Sequence, residues 1–411
     1  MTDIPNFVRN LPGLPKPGEK IFHPDFHLQL KPMWHPHHDE AERRIALTDS
    51  PYILAYYGSQ KAVEHYLAQS MPSFGGLCYP HTLNDRIYDL ERMMSITTLI
   101  DDTITNPAML EQAHKRSTLR QHYFDAIAGI RPPDTAPIAQ LLYEGLLPVK
   151  AHLASKPRVW KRMEDALHTL IVRQTDPLAL KMDELTFDAY LEMRRIDNYG
   201  EWAAIMTEFA IDVDMTEHLM ADRSLAEMRT AAIDSITLVN DPYSFRKEIH
   251  IADSVNSVWL LMYREGLKLQ DALNKLATLV AENERNLMAA RDRVLAGPLG
   301  NRADVRAYVT ELEHLASGNA EFHAISTRYH GRDFKGKRFI SGEVTIRALP
   351  STDEVAAADL AGARPANWGN RLGHANASIP SKQRQRARCG GKKPPCLPHE
   401  PRSHRRQHRP P

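Results

Sequence analysis

From about residue 39 to residue 328 the apolar positions return every three or four residues, the interval at which one face of a helix comes round. Strict alternation of apolar and polar residues is almost missing, so few strands are expected. The pattern predicts helices over 39–48, 52–69, 83–103, 108–128, 136–155, 158–174, 187–210, 215–221, 224–240, 242–265, 268–296 and 302–328. Pro72, Gly75, Gly76, Pro80, Pro132, Pro133, Gly266, Gly297 and Pro298 fall mostly between them, where the chain can turn. Stretches such as 224–240 are apolar enough to belong inside, which makes the expected fold an all-α bundle with a central layer.

Outside this region the periodicity stops. Residues 1–38 carry Pro5, Pro12, Pro15, Pro17, Pro24, Pro32 and Pro36 and read as an irregular N-terminal segment. Residues 332–411 read as a separate C-terminal tail. A short strand is expected at 339–347, and beyond Ala361 there is no period at all. Such a stretch cannot bury enough apolar surface to offset its ordering entropy, so disorder is expected there.

At 411 residues the length allows two or three domains or one large one. The net charge of +1 gives no strong field for nucleic acid or a membrane surface. It hides a basic end, however: residues 381–411 hold ten Lys or Arg against one Glu. No recognition motif accompanies that end, so no nucleic-acid partner is expected. Of the three cysteines, Cys389 and Cys396 lie in the tail and Cys78 in the helical region, so no disulfide framework is visible. No run reaches the ~18 apolar residues of a membrane span, and the N-terminus lacks a signal-type apolar core. A cytoplasmic setting is the expectation. The segment Trp34-His35-Pro36-His37-His38 lacks ligand spacing and reads as a surface loop.

Two places hold chemistry. Asn240, Ser244 and Glu248 are spaced by four, so on a helix their oxygens form one stripe. An amide, a hydroxyl and a carboxylate suit a hard cation such as Mg²⁺, and Lys247 lies beside them. Taken alone, the stripe also fits a solvated helix face. The second place is Asp101-Asp102, which ends the mostly apolar run from Leu90 to Ile100. Two acids at the rim of an apolar region need a cation, a salt bridge or protonation.

Taken together, the two motifs resemble those of the bacterial class I terpene synthases. That family pairs an aspartate-rich motif with an Asn-x-x-x-Ser-x-x-x-Glu triad, often extended as Asn-Asp-x-x-Ser-x-x-Lys-Glu, which Asn240, Asp241, Ser244, Lys247 and Glu248 match. Phe74-Gly75-Gly76-Leu77-Cys78-Tyr79-Pro80 is similar to the entry to the family's first metal helix. Arg194-Arg195-Ile196-Asp197-Asn198 lies where the family keeps a diphosphate-sensing arginine. Gly318-Asn319 followed by Thr327-Arg328-Tyr329 resembles its closing Arg-Tyr pair. The likeness spans roughly 50–331.

The resemblance implies a single catalytic domain over 39–331, a helical bundle around an apolar cavity, with three Mg²⁺ ions gripping a prenyl diphosphate. Carried over by position, the metal ligands are Asp101, Asp102, Asn240, Ser244 and Glu248. The diphosphate contacts are Arg194, Lys247, Arg328 and Tyr329. Asp197 and Asn198 link Arg194 to the breaking carbon–oxygen bond through a helix break near Asn198–Gly200. The apolar wall draws on Phe74, Met94, Thr97, Thr98, Tyr199, Trp202 and Phe322, whose faces suit a carbocation that water would quench. The implied reaction is terpene cyclisation. Farnesyl diphosphate is the favoured substrate and geranylgeranyl diphosphate the alternative; a non-catalytic isoprenoid-binding protein is the rival reading. A chain-elongating prenyltransferase expects a second aspartate-rich motif in place of the Asn/Ser/Glu triad. A second copy of the chain, as a homodimer, is a further candidate partner.

The sequence departs from the family at four points. Thr105 and Asn106 stand where a further acid is usual after the Asp pair. Phe322 stands in place of a tryptophan and Thr97 in place of an aromatic, changes that imply a roomier or differently shaped cavity. Pro242, inside the second motif, is expected to start or kink its helix.

Overall fold

The computed structural model describes residues 13, 15, 16, 18–106, 112–175, 185–248, 255–347 and 350–362, the side chain of Lys247 excepted. All of them belong to one compact unit. The part of the basic tail from residue 363 onward lies outside the described residues.

The helices are α1 (His38–Tyr57), α2 (Gln60–Leu67), α3 (Pro72–Cys78), α4 (Ile87–Ile104), α5 (Ala113–Ala128), α6 (Pro137–His152), α7 (Pro157–Thr175), α8 (Phe187–Asp197), α9 (Gly200–Ala210) and α10 (Thr216–Ala221). After them come α11 (Arg223–Glu248), α12 (Ser257–Glu265), α13 (Leu269–Ala296), α14 (Ala303–Ile325), α15 (Thr327–His330) and α16 (Thr352–Gly362). Their ends follow local chemistry. Pro72, Pro137 and Pro157 open helices where a missing N–H costs nothing. Ser59, Thr186 and Asn256 cap the first turns of α2, α8 and α12 with side-chain oxygens. Gly58, Gly129 and Gly266 close α1, α5 and α12 in the left-handed conformation that favours glycine.

α11 is the axis of the bundle. It packs on α13 and α14 most extensively, and also on α8, α9, α10, α12 and α15. Along α13 the buried residues Leu269, Ala272, Leu273, Leu276, Ala277 and Val280 keep the helical period and face α11. α4 sits between α3 and α6 and is buried nearly all round, including Glu91, Arg92 and Ser95. The charges are matched there: Arg92 Nε donates to Asp49 at 2.8 Å, and Tyr66 donates to the Ser95 carbonyl at 2.7 Å. No helix among the described residues is long and apolar enough to cross a membrane.

Three expectations change. α11 runs unbroken through Pro242. The proline removes one intrahelical hydrogen bond, yet the helix does not start there: it continues on both sides, packed on α13 and α14. The second change concerns the ends of the chain. Strand β1 (Lys20–His23) pairs antiparallel with β2 (Gly342–Thr345), Lys20 opposite Thr345 and His23 opposite Gly342. Neither strand has a partner close in sequence, so neither end shows the pairing alone. The third is the boundary at 331. The packed chain runs on through β2 to α16, which lies against α2.

Inside this clasp, His23 packs against Phe26, Tyr243 and Phe339, with ring centroids 5.4, 4.4 and 5.6 Å away. Burial, then the positive charge of Arg246, pulls its pKa down from 6.5 to about 4. Burial does the same to His330, again to about 4. Both histidines are neutral in the fold, so the unfolded chain takes up their protons first. Their contribution to stability is complete above pH 6.5 and is lost as the pH falls towards about 4. The slope is up to about 1.4 kcal/mol per pH unit for each histidine. Urea unfolding between pH 7.5 and 5 should show this loss, and His23→Leu should make the slope shallower by one histidine's share. A second expectation concerns α3 and α14. A Cβ at Gly318 would stand 2.3 Å from the Leu77 carbonyl oxygen. Gly318→Ala should therefore destabilise the protein by at least about 1–3 kcal/mol, read as a lower unfolding midpoint.

Candidate active site

Two helix ends meet across α15. Asp101 and Asp102 lie in the last turn of α4, and Asn240, Ser244 and Glu248 follow one face of the last turns of α11. Arg328 and Tyr329, on the single turn of α15, reach both. Arg328 Nη2 lies 2.9 Å from Asp102 Oδ1 and 3.9 Å from Asp101 Oδ2, and Nη1 donates to Asp102 Oδ2 at 3.4 Å and to Gln69 Oε1 at 2.9 Å. Tyr329 accepts a hydrogen bond from Asn240 Nδ2 at 3.1 Å. Its hydroxyl is pushed up to about 12 by burial, opposed by Arg328 and reinforced by the charges of Glu248 and Asp101. One phenol thus feels acids from both motifs, which brings the two clusters to one place.

The triad is held by neighbours absent from the sequence reading. Asn256 Nδ2 donates to Glu248 Oε2 at 2.7 Å, to the Asp241 carbonyl at 3.0 Å and to Ser244 Oγ at 3.3 Å. Asn240 Nδ2 also meets His323 Nε2 at 3.0 Å, while His323 Nδ1 lies 2.8 Å from the Asn319 carbonyl. With the proton on Nδ1, that ring donates to the carbonyl and accepts from Asn240. Burial lowers its pKa to about 3, which keeps it neutral. Arg246, also buried, donates to the Tyr329 carbonyl at 2.9 Å and fixes the Arg-Tyr turn against α11.

Beneath the triad lies Asp241, fully buried. It accepts from Tyr190 at 2.7 Å and from the Ser257 amide at 2.9 Å, and Arg194 Nη2 stands 3.6 Å away. Burial pushes its carboxyl up, and Arg194, Ser257 and Tyr190 pull it back. This one carboxylate ties α8, α11 and α12 together.

The break between α8 and α9 lies at Asn198 and Tyr199. Tyr199 is left-handed, with φ of 57°. A non-glycine residue there costs about 1–3 kcal/mol, so its surroundings must hold it. Gly200 permits the close approach: a Cβ would lie 2.5 Å from Ile233 Cγ2. Burial, then the negative charges of Asp101 and Asp102, push the Tyr199 hydroxyl well above the usual phenol range. Asp197, at the end of α8, accepts from Arg173 Nε at 2.9 Å. Gln174 Nε2 joins the two halves, donating to Asp101 Oδ1 and to the Asp197 carbonyl, both at 3.2 Å. Arg194 faces Asp241, so the break reaches Asp101 through Gln174.

Of the expected wall residues, Met94, Thr97, Trp202 and Phe322 are buried and Phe74, Thr98 and Tyr199 half-buried. Phe74 and Phe322 meet edge to face at 5.4 Å. Thr97 and Thr98 both turn their hydroxyls back to the Met94 carbonyl, which satisfies those polar groups within the helix. The side chain of Lys247 lies outside the described residues. So do residues 107–111, while Thr103, Ile104, Thr105 and Asn106 after the Asp pair are described.

The donor set fits a divalent cation. Ser244 Oγ and Glu248 Oε2 converge on one amide nitrogen, and the Asp pair converges on one guanidinium. Each cluster therefore closes on a positively polarised group. Among the described residues no trio of His, Cys, Asp and Glu is gathered for a metal; the candidates are a mixed oxygen set suited to a hard ion. Neighbours of this set were missed in the sequence because Asn256, Gln174 and His323 belong to no spaced motif.

Asp241→Ala should leave Arg194 and Tyr190 facing an empty buried site. The expected loss is about 3–5 kcal/mol of unfolding free energy. Tyr190→Phe should cost only about 1 kcal/mol by the same measurement.

Residues 92–286 match the family model for the C-terminal metal-binding region of terpene synthase family 2. Microbial terpene synthase-like protein 13 of Selaginella moellendorffii is 24% identical over 281 residues, 67% of this chain and 78% of that protein. Sesquiterpene synthase 6 of Postia placenta is 27% identical over 152 residues, 36% of this chain and 43% of that one. The crystal structure of germacradien-4-ol synthase from Streptomyces citricolor superposes with a TM-score of 0.62 at 16% identity, over 73% of this chain and 98% of the other. With a metal-binding region matched over residues 92–286, relatives across most of the helical unit and the same bundle, this chain is similar to terpene synthases in sequence and has the fold of the class I terpene synthases.

Proposed function

We propose that this enzyme ionises a linear prenyl diphosphate, farnesyl diphosphate in the first place, and cyclises the resulting carbocation to a terpene hydrocarbon or alcohol. The observation that carries the reading is the Arg328-Tyr329 turn, which touches Asp102 on one side and Asn240 on the other. Asp101, Asp102, Asn240, Ser244 and Glu248 are the proposed ligands of Mg²⁺, as three ions. When bound, the ions supply positive charge to the departing diphosphate.

The chain's own residues do the rest. Arg194, Arg328, Tyr329 and Lys247 are proposed to hold the diphosphate. One opposite charge at ~4 Å and an effective dielectric of ~20 is worth about 4 kcal/mol, so several together are needed to lower a large barrier. Burial acts to strip the proton from Arg328, but the Asp102 and Asp101 carboxylates outweigh it, so the guanidinium stays charged. Asp197 and Asn198 hold the α8–α9 break in register, Asp197 through Arg173. The ring faces of Phe74, Tyr199, Trp202 and Phe322 would stabilise the cation by cation–π attraction, while Met94, Thr97 and Thr98 exclude water.

Support for fifteen carbons comes from the fungal relative, named as a sesquiterpene synthase. Thr97 and Thr98 fill less space than an aromatic would, which favours geranylgeranyl diphosphate as the second substrate to test. Incubation with geranyl, farnesyl and geranylgeranyl diphosphates and Mg²⁺, followed by gas chromatography and mass spectrometry, should give a cyclic C15 product. A protein that binds diphosphate without releasing it would be an isoprenoid binder and would overturn the reading. Glu248→Gln should lower turnover by about 10²–10³-fold while leaving the unfolding midpoint near that of the parent.

A further inference from the structure

Gln174, in the last turn of α7, touches the first acid pair and the α8–α9 break at once. Its Nε2 lies 3.2 Å from Asp101 Oδ1 and 3.2 Å from the Asp197 carbonyl oxygen. Both partners are acceptors, so the nitrogen must face them, with one proton committed to each. Oε1 is buried and has no hydrogen-bond partner among the described residues. The amide is therefore held through its nitrogen, and a shift of either acceptor is felt by the other.

Holding the end of α8 does not by itself call for this bridge. Arg173, the preceding residue, already fastens that end, with its Nε donating to Asp197 Oδ1 at 2.9 Å. Arg195 ties α8 to α11 through Asp234 at 2.7 and 3.0 Å, and Asn198 Nδ2 reaches Thr237 Oγ1 at 3.4 Å. A residue serving only to hold the helix end needs no second contact with a carboxylate on α4. Gln174 makes that contact. It thereby sets two protons between oxygens that would otherwise repel, a carboxylate and a carbonyl at the negative end of a helix.

The break is a place where a small displacement counts. Tyr199, two residues beyond the bridged carbonyl, keeps a left-handed backbone with φ of 57°. Such a residue stays strained only while its surroundings fix it. Altering one fixing contact shifts the balance between this conformation and a relaxed one.

We propose that Gln174 is a positioning residue that couples cation occupancy at Asp101 to the conformation of the α8–α9 break. This rests on the reading of Asp101 as a metal ligand. When Asp101 turns to a cation, its hold on Nε2 weakens or shifts, and the same nitrogen passes the change to the Asp197 carbonyl. The break then responds to filling of the first motif.

The test follows backbone hydrogen exchange in peptides covering residues 197–204 of the full chain by mass spectrometry. It is run with and without Mn²⁺ and inorganic diphosphate, with binding measured by calorimetry. In the parent, saturating Mn²⁺ and diphosphate should change exchange across the break by about fivefold or more. Gln174→Met keeps the length of the side chain and removes both donors. It should still bind diphosphate at saturating Mn²⁺, but exchange at the break should no longer follow binding. Gln174→Glu keeps the shape and turns the donors into oxygens, and should uncouple in the same way. A ligand-linked exchange change as large in either variant as in the parent would overturn this proposal alone, whatever happens to the unfolding midpoint. A parent that binds Mn²⁺ and diphosphate while its break does not respond overturns it too. Loss of diphosphate binding in both variants at every Mn²⁺ concentration would make Gln174 part of the binding site itself and overturn the coupling equally. Absence of metal-promoted diphosphate binding in the parent would overturn it together with the proposed function.

Discussion

The guanidinium of Arg328 against the Asp101-Asp102 pair is the contact on which the arrangement of this site depends. Two adjacent carboxylates at the end of a buried helix repel each other and lose much of their hydration, so a positive group must stand beside them. Placing an arginine there commits the next residue as well. Tyr329 is carried onto Asn240, and through it α15 is locked onto α11. In the proposed function the same cation would also meet the diphosphate, exchanging one negative partner for another.

The second motif has the same logic with weaker charges. Glu248 and Ser244 converge on the Asn256 amide, and Asp241 below them gathers Arg194, Tyr190 and the start of α12. Removing Asn256 from Glu248 costs one charge-assisted hydrogen bond, whereas removing Arg194 from Asp241 strands a fully buried carboxylate. The upper layer can therefore yield to ligands while the lower layer holds the helices. Tyr199 belongs to the holding layer too: its strained backbone persists because Gly200 lets α9 settle against Ile233.

Much of this could be read before any coordinates. The period of three to four gave the helices, and the spacing of Asn240, Ser244 and Glu248 put three oxygens on one face because residues four apart lie nearly above one another. The likeness of Arg328-Tyr329 to a known closing pair marked a residue that the structure does bring to the acids. Pro242 misled as a possible helix start, because local stiffness was weighed without the packing of α13 and α14 around the continuous helix. The boundary at 331 misled for a related reason. The Ser351-Thr352-Asp353-Glu354 box is a legible helix start, but it follows an aperiodic stretch and precedes a basic tail, so composition outweighed it.

By itself, then, the order of residues determined the helical class, the two acid-rich stripes and the family they resemble, since each rests on near neighbours along the chain. Tertiary structure alone decided that β1 would find β2, that Asn256 would gather Glu248 and Ser244, and that Gln174 would join Asp101 to the end of α8. These pairings join residues far apart in sequence. Their free energy comes from burial and from charges forced to share one space, and no local period or spacing carries that information.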